Sequence, residues 1–139
     1  MTSKVSVNIR LESIHQGEVT IQEMRGDMYD LGDHLYLRYQ EPVYEFGEIS
    51  TTIRVDPHSI KIIRRGDTYA EHLFVSHTTS IGYYETVQGK IKLDIHTHRI
   101  GTNTHANSKD FNWSYDLYID QAHIGLYLLK LSIREELLL

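Results

Sequence analysis

Residues 5–12 read VSVNIRLE, so apolar and polar side chains alternate at every position. Alternation with period two places the two sets of side chains on opposite faces of a β-strand. The same alternation recurs in residues 49–55, 91–96 and 113–120. An amphipathic helix would repeat its apolar residues at helical spacing, and only residues 126–138 fit that spacing as well as the strand spacing. The chain is therefore predicted to be all-β, with the last segment interpreted as a strand.

Turn signals separate these runs. Asp56-Pro57-His58-Ser59 is the clearest, because proline presets a type I turn and aspartate accepts a hydrogen bond at its start. Strands are predicted at residues 4–13, 18–30, 34–41, 47–55, 59–65, 69–76, 80–87, 90–104, 110–120 and 123–135. Sequential strands that each bury one face favour a single up-and-down antiparallel β-barrel of about 8–10 strands across residues 1–139. A Greek-key sandwich is the alternative, but it would need long connections.

Composition narrows the class of protein. The 139 residues are 40% hydrophobic, carry a net charge of −5 and include no cysteine. A chain of this size can bury a core without disulfides, and the lack of cysteine excludes thiolate zinc sites and cysteine nucleophiles. The negative charge argues against binding to nucleic acid or to a membrane surface. The first residues lack the apolar core of a signal peptide, so a cytoplasmic location is expected.

One group of residues has the chemistry of metal ligands. Asp94, His96 and His98 alternate along one predicted strand and would share a face, and carboxylate with imidazole suits zinc or copper. Their extended spacing spreads them over about 13 Å, which is too far for one ion. No metal site is therefore predicted. The sequence also carries no nucleophile elbow or phosphate-binding glycine loop, so neither a catalytic site nor a cofactor is predicted.

Four short motifs follow one another along the chain: YLRYQE at residues 36–41, TTIR at 51–54, IRRG at 63–66 and YETVQG at 84–89. In their order and spacing the chain resembles the YwiB-like proteins, a bacterial family of calycin-like, or lipocalin-like, barrels without assigned function. The resemblance spans nearly the entire chain. It implies a calycin-like β-barrel in a cytoplasmic bacterial protein, and it carries over no catalytic or ligand-binding residue. The chain departs from the family pattern at residues 107–110, NSKD, where the family is richer in glycine.

In several predicted strands, a charged residue occupies the next position on the face that carries the apolar residues; we call this alternating set of positions the apolar phase of the strand. The phase of residues 35–39 leads to Glu41, and that of residues 60–62 leads to Arg64. The other charged residues in this relation are Glu71, Glu85 and Arg99, and the tyrosines in these interior phases are Tyr39, Tyr83, Tyr115 and Tyr127. A charge inside a barrel is costly unless it is paired or solvated. The set indicates a water-filled pocket or structural ion pairs at the barrel mouth, unless bulges turn some of these side chains outward.

The residues predicted to bind a ligand are Tyr39, Glu41, Arg64, Tyr83, Glu85, Arg99 and Tyr115. A small molecule with a polar or anionic head and an apolar body would suit this mixed lining. The predicted function is a non-enzymatic small-molecule-binding barrel, either monomeric or homodimeric. Two alternatives remain open: a scaffold protein that pairs through a sheet edge or as a homodimer, and an enzyme with Glu41 or Glu85 as a buried base beside Arg64 or Arg99.

The same alternation predicts which residues form the core, because the apolar face of each strand must turn inward. The predicted core residues are Val7, Ile9, Leu37, Ile53, Ile62, Leu93, Ile95, Leu117 and Leu129.

Overall fold

The computed structural model describes residues 4–44, 47–66 and 68–136, and the regular elements in these ranges are all β-strands. They are β1 (Lys4–His15), β2 (Glu18–Asp30), β3 (Leu35–Tyr44), β4 (Gly47–Val55), β5 (Ser59–Arg65), β6 (Tyr69–Val75), β7 (Thr78–Thr86), β8 (Gly89–Thr104), β9 (Ser108–Ile119) and β10 (Ala122–Glu135). Within these ranges no helix has the length and apolar character needed to cross a membrane. The prediction of an all-β chain is confirmed.

The strands close into one barrel in which each strand pairs with its neighbours in sequence and β10 pairs with β1. The pairings are antiparallel throughout. The closing ladder joins residues 7–15 of β1 to residues 127–135 of β10. Closure leaves none of the described strands without a partner on either side along its full length, unlike the two outer strands of an open sheet. The up-and-down barrel is therefore confirmed, and the Greek-key alternative is wrong.

Tight turns connect the strands at one end of the barrel. In the turn between β1 and β2, Gln16 and Gly17 have φ angles of 52° and 80°. In the turn between β9 and β10, Asp120 and Gln121 have φ angles of 50° and 69°. Two positive φ angles in a two-residue loop match the twist of a hairpin, and Gly17 adopts its angle without steric cost. We call this end, where β3–β4, β5–β6 and β7–β8 also connect, the mouth.

Apolar side chains fill the barrel interior. Eight of the nine predicted core residues are buried, namely Val7, Ile9, Leu37, Ile53, Ile62, Leu93, Ile95 and Leu129. Leu117, the ninth, is partly buried and packs against the same core. Phe74 and Trp113 extend the core, with ring centroids 5.4 Å apart. The core prediction is therefore confirmed for eight of the nine residues and only in part for Leu117.

Candidate functional site

Glu41 brings a carboxylate into the barrel interior. It follows Leu35, Leu37 and Tyr39 along the inner face of β3, and all four residues are buried. The ladder with β4 runs from Leu35 to Glu41 without a register shift, so the pleat carries the apolar phase directly to the carboxylate. Tyr39 and Glu41 therefore face inward, as the phase of β3 predicts.

Arg64 on β5 reaches across β4 to bind this carboxylate. Its Nε donates to Oε1 of Glu41 at 3.0 Å, and its Nη2 donates to Oε2 at 2.6 Å. Thr51, opposite Arg64 in the β4–β5 ladder, donates its hydroxyl to Oε1 of Glu41 at 3.2 Å. The side chain of Glu41 is 2% exposed and that of Arg64 is 36% exposed. The pair thus joins a buried glutamate to a partly exposed arginine.

Burial and charge shift the titration of the groups around this pair. Desolvation lowers the pKa of Arg64, but its hydrogen bonds and attraction to Glu41 outweigh that effect and leave the pKa above its usual value. Burial and then the Glu41 charge raise the pKa of Tyr39. On β6, the pKa of His72 is lowered by desolvation and by repulsion from Arg64. At neutral pH a charged guanidinium therefore sits beside a neutral phenol and a neutral imidazole.

Aromatic rings from four strands form a second group in the interior. Tyr115 is buried, and its ring centroid lies 4.8 Å from that of Phe74 and 5.2 Å from that of Tyr127. Tyr127 stacks in turn on His15, with centroids 4.0 Å apart and ring planes within 6°. Burial raises the pKa of Tyr115. Tyr115 faces inward, as predicted, but neighbouring rings already pack against it.

Tyr83 and Glu85 do not face the interior. The inner face of β7 carries Gly82 and Tyr84, and a Cβ at Gly82 would lie 2.6 Å from the backbone oxygen of Glu71 on β6. Tyr83 points outward with Nζ of Lys90 4.2 Å from its ring centroid, and Glu85 is exposed. The predicted phase of β7 is therefore wrong, because a glycine occupies the buried position and gives no apolar signal.

Arg99 also lies outside the barrel. The register between β8 and β9 shifts between Thr97 and Ile100, and this irregularity turns Arg99 to an exposed position. Glu71 is only partly buried and binds Lys61 through Nζ and Oε1 at 2.9 Å, because Ala70 and Phe74 carry the inner face of β6. Of the predicted site, the structure brings Tyr39, Glu41, Arg64 and Tyr115 inside, and it leaves Tyr83, Glu85 and Arg99 outside.

Sequence pattern alone does not single out Thr51, His72 or Tyr84 as parts of this cluster. Thr51 stands in the buried phase of β4, and His72 stands between Ala70 and Phe74 in the buried phase of β6. A polar residue inside an otherwise apolar phase is the signal that could have identified both. Tyr84 lies opposite Ala70 in the β6–β7 ladder. The sequence pattern places it on the outer face, because the predicted phase of β7 is wrong.

Histidines cluster around Asp116 on the outer face of β8, β9 and β10. Imidazole Nε2 atoms of His98 and His123 lie 2.8 Å from Oδ2 and Oδ1 of Asp116. His96 packs edge-on against His98, with ring centroids 5.2 Å apart. Asp94 lies two residues before His96 on the same strand. Among the described residues, no group of acidic and histidine side chains has an arrangement that could hold a metal ion. The cluster is a hydrogen-bonded surface group.

Replacing Asp116 by Asn should flatten the acid side of the stability curve. Hydrogen bonds from His123 and His98 hold the pKa of Asp116 below its usual value. Such a carboxyl contributes stability above its unfolded pKa of about 3.9 and loses the contribution as pH falls through the folded pKa. Thermal unfolding midpoints between about pH 5 and pH 2 should therefore fall more steeply for the wild type. Parallel curves for wild type and Asp116→Asn, with Asp120→Asn as control, would contradict this.

Comparison with known proteins places the chain in a family. The crystal structure of the ywiB protein from Bacillus subtilis superposes with a TM-score of 0.80 at 19% sequence identity, covering 98% of this chain and 96% of that one. At this identity the match shows the shared fold. No curated protein matches the chain. The profile of the family described as Domain of unknown function (DUF1934) matches residues 5–131. The resemblance drawn from the four sequence motifs is confirmed, and the chain belongs to the DUF1934 family.

Proposed function

We propose that this barrel binds a small molecule through the exposed side of Arg64. One observation carries the proposal: the carboxylate of Glu41, whose side chain is 2% exposed, holds the guanidinium of Arg64, whose side chain is 36% exposed. The two contacts to Glu41 use Nε and Nη2 of Arg64. Nη1 takes no part in this pair, so the guanidinium can donate a further hydrogen bond from a fixed position. A donor that is held in place before binding loses less conformational entropy when a ligand arrives.

The neighbours of Arg64 favour an anionic ligand with an apolar body. Tyr84 lies opposite Ala70, which itself lies opposite Arg64. On its other side Tyr84 pairs with Ile91 on β8. Ile91 is exposed although it continues the inner phase of β8. A cation beside partly exposed aromatic and aliphatic side chains suits a carboxylate, phosphate or sulfonate attached to an apolar group.

The enzyme alternative has less support. Its second pair, Glu85 and Arg99, lies outside the barrel. In the first pair, both carboxylate oxygens of Glu41 accept hydrogen bonds from Arg64. A general base needs a lone pair directed at the substrate proton, and this arrangement favours a structural role for Glu41 in holding Arg64.

Anilinonaphthalene sulfonate, which joins a sulfonate to an aromatic body, is a suitable probe for this site. Arg64→Ala should weaken its binding by more than about tenfold in a fluorescence titration, because a charge-assisted hydrogen bond contributes about 1.5–3 kcal/mol. Arg65→Ala is the matched control, since Arg65 is the exposed neighbour on the same strand. Native mass spectrometry of freshly purified protein would show whether a cellular ligand remains bound.

A destabilised variant could itself bind this probe, so the titration needs a second variant. Glu41→Gln combined with Arg64→Ala removes the guanidinium without leaving an unpaired carboxylate inside. Circular dichroism should show that it is folded, and its affinity should be as low as that of Arg64→Ala. If both variants and Arg65→Ala bind the probe as tightly as the wild type, Arg64 is not the binding group.

A further inference from the structure

Among the described residues, one edge of β2 has no paired strand near the mouth. β2 pairs with β1 from Glu18 to Tyr29, but it pairs with β3 only through residues 27–30. Within the described residues, the stretch Glu18–Arg25 therefore has a ladder partner on one side alone. Gly26 is not part of this stretch, because a Cβ there would lie 2.7 Å from the main-chain oxygen of Arg38 on β3. We call this stretch the open edge. Main-chain donors and acceptors along such an edge are a template for pairing with another extended chain.

The turn before β2 determines which residues direct their main-chain N–H and C=O groups away from β1. Gln16 and Gly17 form a two-residue turn, and His15 and Glu18 are the first pair of the ladder that it closes. In such a turn, the first pair of the ladder exchanges both of its main-chain hydrogen bonds, so the N–H and C=O of Glu18 point toward β1. These groups alternate in direction along a strand, so those of Val19 and of every second residue after it point away from β1. Main-chain groups of Val19 and Ile21 therefore face the open side.

On the outer face, the open edge carries apolar side chains near its start and two charged side chains, Glu23 and Arg25, near its end. Val19 is 53% exposed and Ile21 is 47% exposed on the outer face. Arg25, on the same face, is 73% exposed and binds the carboxylate of Glu136. A lysine or proline in the middle of an edge commonly blocks pairing, and neither occurs between Glu18 and Arg25.

A groove of about 560 Å³ opens where β2 and β3 separate. Arg25 and Arg38 line it from the two strands, together with Gln40 and Ser50, and Asp27 and Glu136 belong to the same lining. Arg25 already donates a hydrogen bond to the carboxylate of Glu136, from a distant segment of the chain. An arginine can bind carboxylates on more than one side of its planar group. Because the side chain of Arg25 is 73% exposed, it can bind an acidic side chain in addition to Glu136.

We propose that the open edge binds an extended peptide as an added antiparallel strand, with an acidic residue at Arg25 and apolar residues at Ile21 and Val19. Directly opposed residues of an antiparallel pair share a face. Ile21 and Val19 lie four and six residues before Arg25, so the apolar residues of the peptide follow its acidic residue by four and six positions. Main-chain hydrogen bonds supply affinity, and the alternate side chains supply the choice of partner.

A labelled peptide tests this directly. The sequence Glu-Thr-Lys-Thr-Val-Thr-Val places glutamate opposite Arg25, lysine opposite Glu23 and the two valines opposite Ile21 and Val19. Fluorescence polarisation should show saturable binding to the wild type. Arg25→Glu should weaken it by about tenfold or more, and a peptide with lysine in place of its glutamate should restore binding to that variant.

Arg134→Glu is the matched control. Arg134 and Arg25 both lie opposite Asn8, one on each side of β1, so the control changes the same charge on the same face away from the open edge. It should leave peptide binding unchanged. The proposal is overturned if the peptide does not bind, if both variants lose binding equally, or if light scattering shows that copies of the chain associate and exclude the peptide. Binding of anilinonaphthalene sulfonate should be unaffected by Arg25→Glu, which separates this edge from the Arg64 site.

Discussion

Replacing Leu93 by Ala should lower the free energy of unfolding by about 2–5 kcal/mol. Leu93 is buried on β8 within the main core cluster. Its partner in the ladder with β7 is Gly82, which has no side chain that could move into the space left behind. A site that cannot collapse retains a cavity, and the cavity adds to the loss of apolar burial. Urea denaturation followed by fluorescence of Trp113, the single tryptophan, measures the change.

Ile91→Ala is the matched control for this variant. Ile91 lies two residues before Leu93 on the same strand and in the same phase, but it is 41% exposed. Its truncation should cost less than about 1 kcal/mol, because a half-exposed side chain leaves no closed cavity and loses less buried area. Equal losses for the two variants would mean that the face of β8 carrying Leu93 is not the core face.

Period-two alternation predicts the barrel because most strands keep an unbroken pleat and an apolar inner face. On β3 and β5 the ladders continue in register as far as Glu41 and Arg64. The phase of the apolar residues therefore carries over to the charged residue at the end of the strand. In these strands the orientation of a charged side chain follows from its neighbours in sequence.

The same argument fails where the local geometry leaves no apolar signal. Gly82 holds the buried position of β7, so Ile81 and Tyr83 imitate an inner face although they lie outside. The irregularity after Thr97 turns Arg99 outward, and a bulge of this kind depends on how β9 pairs with β8. The alternation within β7 or β8 alone cannot show either orientation, because each depends on how a neighbouring strand packs against that strand.

Contacts between strands that are far apart in sequence are harder still to predict from the alternation of residues. Glu41 and Arg64 are 23 residues apart, and only the positions of β3, β4 and β5 in the closed sheet bring them together. The open edge of β2 arises in the same way, since the sequence of β2 does not show which of its residues pair with β3. Inward orientation could thus be predicted for some residues, whereas the ion pair and the unpaired edge required the tertiary structure.

Replacing Arg64 by Met should cost more stability than replacing Glu41 by Met. Arg64→Met leaves a carboxylate that is 2% exposed without its cation, and an uncompensated buried charge typically costs about 3–5 kcal/mol. Glu41→Met leaves Arg64, whose side chain is already 36% exposed and can extend toward water. The loss should then be nearer 1 kcal/mol, roughly that of one modest contact.

The double variant Glu41→Met/Arg64→Met completes the cycle. With neither charge inside, it should recover most of the stability lost in Arg64→Met, because well-packed apolar residues can replace a buried ion pair at little cost. Urea denaturation of all four proteins gives the interaction energy between the two side chains. If the two single variants lose equal free energy of unfolding and the double variant loses the sum of the two, the side chains are not coupled. A recovery in the double variant would identify Arg64 as the group that makes a buried carboxylate tolerable, and Glu41 as the group that fixes the guanidinium in place.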